Sequence, residues 1–134
     1  MPGIPRLFRV VLQVKDMDRA VSFYERLLGI PGKRVSAGRH YFHCEGVMLG
    51  IVDPQSEGGS AKPIPDHVYF SVPDIEVIHA VARQLGCLSS GKVHGEPAGQ
   101  IVKRPWGERS FYAEDPFGNN LCFVDSTTIF TGLD

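Results

Sequence analysis

Two basic side chains occupy the same place in two similar segments of the sequence. Arg9 opens the segment RVVLQVKD, and His67 opens the segment HVYFSVPD, 58 positions later. A guanidinium offers a planar pair of N–H donors to a carboxylate or phosphate, whereas an imidazole can donate, accept or transfer a proton near neutral pH. Both residues are therefore candidates for binding an anionic or carbonyl-bearing molecule. The alternatives are structural: a salt bridge or solvent for Arg9, and a hydrogen bond to a neighbouring strand for His67.

A cysteine lies at a second pair of equivalent positions. Cys122 belongs to LCFVD (121–125), which aligns with LGIVD (49–53), so that Gly50 takes the same place in the first segment. A thiol is reactive only beside a group that lowers its pKa. A small, buried, apolar role is the favoured alternative for Cys122.

Aromatic residues cluster after position 105. They are Trp106, Phe111, Tyr112 and Phe117. Trp106 stands in a Pro-Trp-Gly turn, which keeps the backbone near the surface, and aromatic faces stack on planar groups. We therefore expect Trp106 to form a wall or lid for a flat ligand, and the segment from Trp106 to Phe111 to line one pocket with Arg9, His67 and Cys122. A plug in the hydrophobic core is the alternative.

The segments that carry these residues repeat one pattern of elements. Alternating apolar residues predict strands at 8–14 and 67–72, and apolar residues at helical spacing follow each strand. Asp16 and Asp74 stand where a helix N-cap is expected, and Gly29 and Gly86 stand where each helix must end.

Further strands follow each predicted helix. They are expected at 33–44 and 46–52 around a Glu45-Gly46 turn, at 109–114 and 120–125 around the turn 115–118, and weakly at 100–103 within a long loop, 88–105. Each half is therefore close to βαβββ. A sheet with one helix leaves its other face uncovered, and two such halves can enclose that face together.

These elements predict an α+β fold in which two βαβββ modules form a curled mixed sheet around a cavity. Module one is expected at about 6–53, a proline- and glycine-rich linker at about 54–65, and module two at about 66–126, all within one domain over 1–134.

Composition excludes several classes of function. The 134 residues carry a net charge of −1 without a long basic run, so no nucleic-acid or membrane partner is expected. No apolar stretch reaches the roughly 18–20 residues that span a bilayer. Three cysteines without metal-knuckle spacing favour free thiols in the cytoplasm. Nucleophilic triads, phosphate loops and dinucleotide fingerprints are absent.

The sequence resembles the vicinal-oxygen-chelate superfamily of glyoxalase I, extradiol dioxygenases, fosfomycin-resistance enzymes and bleomycin-resistance binding proteins. The resemblance rests on VKDMDRAVSFYERLLG (14–29) and PWGERSFYAEDPFGNNLCFVD (105–125), and the second is most similar to the bleomycin-resistance branch. It implies paired βαβββ modules and a homodimer. It carries little information about activity, because this scaffold hosts many chemistries.

The resemblance also implies where a metal ion would be held in metal-dependent members. The four ligand positions correspond to Arg9, Gly50, His67 and Cys122. Zinc usually takes three or four protein ligands, but a glycine has no side chain and an arginine places a fixed cation at the site. We therefore expect no metal and no other cofactor.

The favoured function is metal-independent binding of a small planar or anionic molecule, with Arg9, Gly50, His67, Trp106, Phe111 and Cys122 as ligand-binding residues and sequestration as its simplest form. The alternative is a metal-dependent lyase, isomerase or dioxygenase of the glyoxalase type, which would use His67 and donors from elsewhere or from a second subunit. A structural domain without a ligand is a third hypothesis.

Overall fold

The chain contains two helices and ten strands in the computed structural model, which describes residues 3–132 except the side chain of Ser56. The first half comprises β1 (Arg9–Gln13), α1 (Met17–Leu28), β2 (Lys33–Ser36), β3 (Arg39–Cys44) and β4 (Val47–Val52). The second half comprises β5 (His67–Val72), α2 (Ile75–Leu85), β6 (Lys92–Val93), β7 (Glu96–Pro97), β8 (Val102–Lys103), β9 (Arg109–Glu114) and β10 (Asn120–Asp125). Short 3₁₀ helices occupy Pro54–Glu57 and Ser126–Thr128.

The two halves form sheets of the same topology, which confirms the predicted α+β fold of paired βαβββ units. Strand order is β1-β4-β3-β2 in the first sheet and β5-β10-β9-β8 in the second. β1 runs parallel to β4, and β5 runs parallel to β10, whereas the remaining neighbouring pairs in each sheet are antiparallel. Consequently β1 and β5 are edge strands.

Both helices begin and end at the predicted residues. The Asp16 carboxylate accepts a hydrogen bond from the backbone N–H of Arg19, and the Asp74 carboxylate accepts one from Val77. Gly29 and Gly86 have φ angles of 73° and 68°, in the left-handed region that glycine reaches at low cost.

One hydrophobic core serves both halves. α1 packs on β3 and β4, α2 packs on β9 and β10, and the two helices contact each other. The largest side chains buried there are Tyr24, Phe42, Phe111, Phe123, Leu12, Ile51, Ile75 and Leu121. Because side chains alternate across a strand, the other face of each sheet lies outside this core.

A buried polar cluster links the two halves. Tyr24 of α1 donates from its hydroxyl to the Asp115 carboxylate at 2.7 Å. Asn119 donates to the Asp115 carboxylate and to the carbonyl of Gln13, and accepts from the N–H of Ile64. The loop before β10 therefore connects α1, β1 and the segment between the halves.

Two features differ from the expected elements. The segment predicted as a linker contains a 3₁₀ helix, which the Asp53 carboxylate caps. The loop 88–105 contains the β6–β7 hairpin, and the expected strand at 100–103 is only the two residues of β8. Over residues 3–132, no helix is long and apolar enough to cross a membrane, and the three cysteines form no disulfide.

Candidate functional site

The outer face of the first sheet, away from α1, carries Arg9. Its side chain is exposed, and its guanidinium carbon lies 5.0 Å from the Phe8 ring centroid and 5.1 Å from that of Tyr41. Within the described part of the chain, no carboxylate lies within ion-pairing distance of Arg9. The guanidinium is thus held between aromatic rings, with its charge available to an incoming group.

Gly50 lies directly beneath the Tyr41 ring. A Cβ atom at position 50 would stand 2.8 Å from Tyr41 Cε1 and 3.1 Å from Cδ1, closer than carbon atoms normally approach. Gly50 therefore leaves room for this side of the Tyr41 ring, whose centroid lies 5.1 Å from the guanidinium carbon of Arg9.

The corresponding face of the second sheet carries His67, Tyr112 and Cys122. His67 Nδ1 lies 2.9 Å from the Asp66 carboxylate, and its ring is edge-on to Tyr112 with centroids 5.1 Å apart. Hydrogen bonds from the His67 side chain and backbone lower the pKa of Asp66 below its usual value. The contact with Asp66 orients the imidazole and leaves Nε2 as the nitrogen that a ligand can meet.

Cys122 is 1% exposed, and burial raises the pKa of its thiol to about 11. The group is therefore protonated at neutral pH, when nucleophilic attack requires the thiolate. This placement agrees with the alternative reading of Cys122 as a small buried side chain. Burial likewise raises the pKa of Tyr112 to about 12, so its hydroxyl stays a hydrogen-bond donor.

An arginine that the sequence did not single out lies on the same face. Arg104 is only 2% exposed, and its guanidinium carbon is 5.0 Å from the Tyr112 ring centroid. The β6–β7 hairpin covers this region, since Val93 and Ala98 pack on Tyr112, Cys122 and Val124. No local pattern marked Arg104, because a charged residue beside Pro-Trp-Gly normally indicates solvent exposure.

The prediction that Phe111 lines the pocket is wrong. Phe111 is fully buried on the α2 side of the sheet, where it stacks on Phe123 at 5.2 Å and meets the His79 ring edge-on at 4.8 Å. Its neighbour Tyr112 points to the opposite face. Trp106 does lie near the surface: it is 39% exposed, donates to the Glu108 carboxylate and contacts the His94 ring edge-on.

Two cavities adjoin the edge strand β5. The larger, of about 940 Å³, is mostly apolar, and its lining includes Val10, Leu49, His67, Val68, Tyr69 and Phe70. The smaller, of about 410 Å³, is lined by residues that include Tyr69, Trp106, Glu108 and Phe130. The six residues predicted to bind a ligand are therefore divided between the first sheet, the second sheet, the surface near Trp106 and the core, rather than gathered around one cavity.

The four positions where the resemblance implies metal ligands do not form a suitable donor set within one chain. Arg9 presents a cation, Gly50 has no side chain, and Cys122 is 1% exposed, so His67 alone offers an accessible donor. From residue 3 to residue 132, no three His, Cys, Asp or Glu side chains cluster as metal ligands. These residues do not fit a divalent metal of the kind that needs three or four protein ligands.

Comparison with known proteins gives a family match and several structural matches. The sequence model of the Glyoxalase/Bleomycin resistance protein/Dioxygenase superfamily matches residues 6–123. No curated protein is similar enough in sequence to count as a match.

Solved structures with the same fold include a glyoxalase/bleomycin resistance protein from Albidiferax ferrireducens T118, with 22% identity, coverage of 87% of this chain and 95% of that chain, and a TM-score of 0.71. The oxidase ChaP-H2 has 23% identity, coverage of 92% and 94%, and a TM-score of 0.72. A lactoylglutathione lyase from Agrobacterium tumefaciens has 20% identity, coverage of 92% and 96%, and a TM-score of 0.66. Such low identities establish a shared fold and leave activity open.

Proposed function

The chain belongs to the Glyoxalase/Bleomycin resistance protein/Dioxygenase superfamily, and from that premise we propose that it binds a small planar or anionic molecule without a metal ion. Sequestration of the molecule, as in the bleomycin-resistance branch, is the simplest form of this function, because it needs only a concave apolar surface with a few well-placed polar groups.

Arg9 is the observation that carries the proposal. It occupies a position where metal-dependent relatives are expected to hold a ligand, yet it brings a permanent positive charge that no carboxylate of residues 3–132 neutralises within ion-pairing distance. The rings of Phe8 and Tyr41 fix the guanidinium in place. A planar anion would gain both a charged hydrogen bond and aromatic contact there.

A second copy of the chain is the partner that we propose for this face. In the part of the chain that the structure describes, the edge strands β1 and β5 each hydrogen-bond to a single neighbouring strand. Exposed apolar side chains lie on or beside them, namely Ile4, Leu7, Phe8, Val11 and Tyr69. Two-fold pairing is the commonest way for proteins to cover such surfaces, and it would allow one chain to supply Arg9 and the other His67 to a shared site.

The alternative is a metal-dependent lyase, isomerase or dioxygenase. Its support is His67, whose Nδ1 contacts Asp66 in the way that carboxylates orient metal-binding histidines. This alternative needs further ligands from a second subunit. Measuring the metal content therefore separates the two functions.

The test is a thermal-shift screen of planar aromatic acids, followed by titration of the best binder with tryptophan fluorescence as the signal. Arg9→Ala should weaken binding by about 1.5–3 kcal/mol, the range for a hydrogen bond to a charged group. If two-fold pairing brings Trp106 beside the partner's Arg9, Trp106→Ala should weaken binding by about 0.5–1.5 kcal/mol beyond lost contact area. Arg6→Ala removes an exposed charge three residues from Arg9 and is the matched control, with unchanged affinity expected.

Elemental analysis and light scattering complete the test. Protein purified without chelator or metal-affinity resin should contain no stoichiometric zinc, nickel, manganese or iron, and should have the mass of a dimer at micromolar concentration. One tightly bound transition metal per chain would instead establish the enzyme alternative. Unchanged affinity in Arg9→Ala would remove Arg9 from the site.

A further inference from the structure

A second arginine, Arg104, is buried and has no counter-ion among residues 3–132. Its side chain is 2% exposed. Among the ion pairs that residues 3–132 form, none involves Arg104. A buried charge costs several kcal/mol unless it is paired, so an uncompensated guanidinium requires an explanation.

Neutral groups satisfy only part of this guanidinium. Nε donates to Ser110 Oγ at 3.0 Å, and Nη2 donates to the carbonyl oxygen of Ser110 at 3.1 Å and to that of Gln100 at 3.5 Å. Nη1 is buried and has no hydrogen-bond partner among the described residues. The three contacts fix the plane of the guanidinium and leave Nη1 able to donate to an acceptor that residues 3–132 do not supply.

Beyond the acceptors supplied by Ser110 and Gln100, Arg104 contacts an aromatic ring that belongs to an apolar cluster. Its guanidinium lies over the Tyr112 ring, and Tyr112 belongs to a small cluster with Ala98, Cys122 and Val124. A single cation beside an aromatic ring and aliphatic side chains matches a monoanion with an apolar body better than a multiply charged, strongly hydrated group such as phosphate.

We propose that the outer face of the second sheet, beneath the β6–β7 hairpin, binds a small apolar carboxylate whose oxygen accepts a hydrogen bond from Arg104 Nη1. The site is separate from Arg9, which lies on the first sheet, and it does not depend on the function proposed for Arg9. The carboxylate neutralises the buried charge, and its apolar body contacts Tyr112 and its neighbours.

The hairpin provides the route of entry. Its two strands have two residues each, and its turn places His94 and Gly95 at φ angles of 51° and 80°. The hairpin is joined to β9 by the hydrogen bond from the N–H of Tyr112 to the carbonyl of Ala98, and its tip contacts Trp106 through the edge of the His94 ring. For the hairpin to lift, the hydrogen bond between Tyr112 and Ala98 and the packing of Val93 and Ala98 on the second sheet must break. The chain's single tryptophan lies where that movement changes its environment.

Benzoate and benzamide are suitable probes, because they share shape and differ in charge. Binding is measured by calorimetry and tryptophan fluorescence for the wild type and for Arg104→Gln, with Lys103→Gln as the matched loss of an adjacent exposed charge. We expect benzoate to bind the wild type and Lys103→Gln equally. Arg104→Gln should weaken benzoate binding by about 10-fold or more, as expected for a lost hydrogen bond to a charged group. Benzamide should bind weakly to all three.

Stability measurements distinguish a binding role from a structural one. If Arg104 only supports the loop, Arg104→Gln lowers the melting temperature but leaves the increase caused by benzoate unchanged, which overturns the proposal. If Arg104→Gln does not fold, Arg104→Lys keeps the charge while losing the planar geometry, and it should still lower benzoate affinity. Equal binding of benzoate and benzamide, or no saturable benzoate binding to the wild type, also refutes the site. Loss of benzoate binding in Arg9→Gln but not in Arg104→Gln assigns the carboxylate to Arg9 instead.

Discussion

Replacing Tyr24 by phenylalanine should destabilise the protein far more than the loss of one oxygen atom suggests. The Tyr24 hydroxyl is fully buried and donates to Asp115 at 2.7 Å across the boundary between the two halves. Asp115 is itself buried and accepts three further hydrogen bonds, from the N–H groups of Phe117 and Asn119 and from the Asn119 side chain. The substitution therefore leaves a buried carboxylate oxygen with one donor fewer.

The size of the effect follows from these contacts. Phenylalanine fills nearly the same volume as tyrosine, so the substitution creates no cavity that would lower the free energy of unfolding further. A hydrogen bond to a charged group contributes about 1.5–3 kcal/mol, and for a chain of this length that loss corresponds to a decrease of about 5–10 °C in melting temperature. The control is Tyr69→Phe, because Tyr69 is 59% exposed and substitutions at exposed positions usually change stability by less than about 0.5 kcal/mol.

Urea denaturation followed by circular dichroism provides the measurement. We expect the midpoint to fall in Tyr24→Phe with an unchanged m-value, and to stay constant in Tyr69→Phe. If both variants unfold at the same urea concentration as the wild type, the contact between Tyr24 and Asp115 does not stabilise the fold, and the account given for the buried cluster is wrong.

Three further predictions concern the thiols and the first sheet. Burial raises the pKa of Cys87 and Cys122 to about 11, from about 9 in the unfolded chain. The two buried thiols therefore contribute fully to stability below pH 9, and this contribution is lost as the pH rises through 11. Urea midpoints should fall over this range in the wild type, and should fall less in a Cys87→Ala/Cys122→Ala variant. The partly buried Cys44 should react first with a thiol reagent at pH 8, and faster reaction of Cys122 would contradict its placement. Gly50→Ala should lower the free energy of unfolding by about 1–3 kcal/mol, because the added methyl group clashes with the Tyr41 ring. The loss should be smaller in a Tyr41→Ala background. An equal loss in both backgrounds would show that the ring is not the cause.

Local patterns predicted the helices well because the groups that end a helix lie within a few residues of it. Asp16 and Asp74 cap the first turns, and Gly29 and Gly86 adopt the left-handed conformation, all as expected. The hairpin β6–β7 went unpredicted because its strands are too short for an alternation to show. It depends on the hydrogen bond from Ala98 to Gly91, which closes the hairpin, and on the one from Tyr112 to Ala98, which joins it to β9.

The orientation of Phe111 was predicted wrongly because the register of a hairpin depends on its loop. A four-residue turn at 115–118 would place Phe111 opposite Cys122. In the structure Asp115 pairs with Asn119 around a three-residue loop, so that Tyr112 lies opposite Cys122 and Phe111 lies opposite Phe123. One residue in the loop exchanges the two faces of the strand, and the identities of the aromatic residues carry no information about that choice.

Burial of Arg104 could not be inferred from the sequence because it depends on packing between segments. The residues that enclose its guanidinium come from β9 and from the loop before β8. The positions of Arg9 and His67 could be inferred, because the internal repeat marks both strand starts. Whether these two residues share a ligand depends on how chains assemble.

The cluster around Asp115 also has a consequence for the order in which the chain acquires its structure during synthesis. The contact between Tyr24 and Asp115 joins residues 91 positions apart, and that between Gln13 and Asn119 spans 106 positions. β3 and β4 are made soon after α1, but the part of its apolar face that packs on α2, and the acceptor of the Tyr24 hydroxyl, are made only later in synthesis. A nascent chain that pauses in the segment between the halves would expose that part of the face, and such intermediates are the ones that aggregate or recruit chaperones.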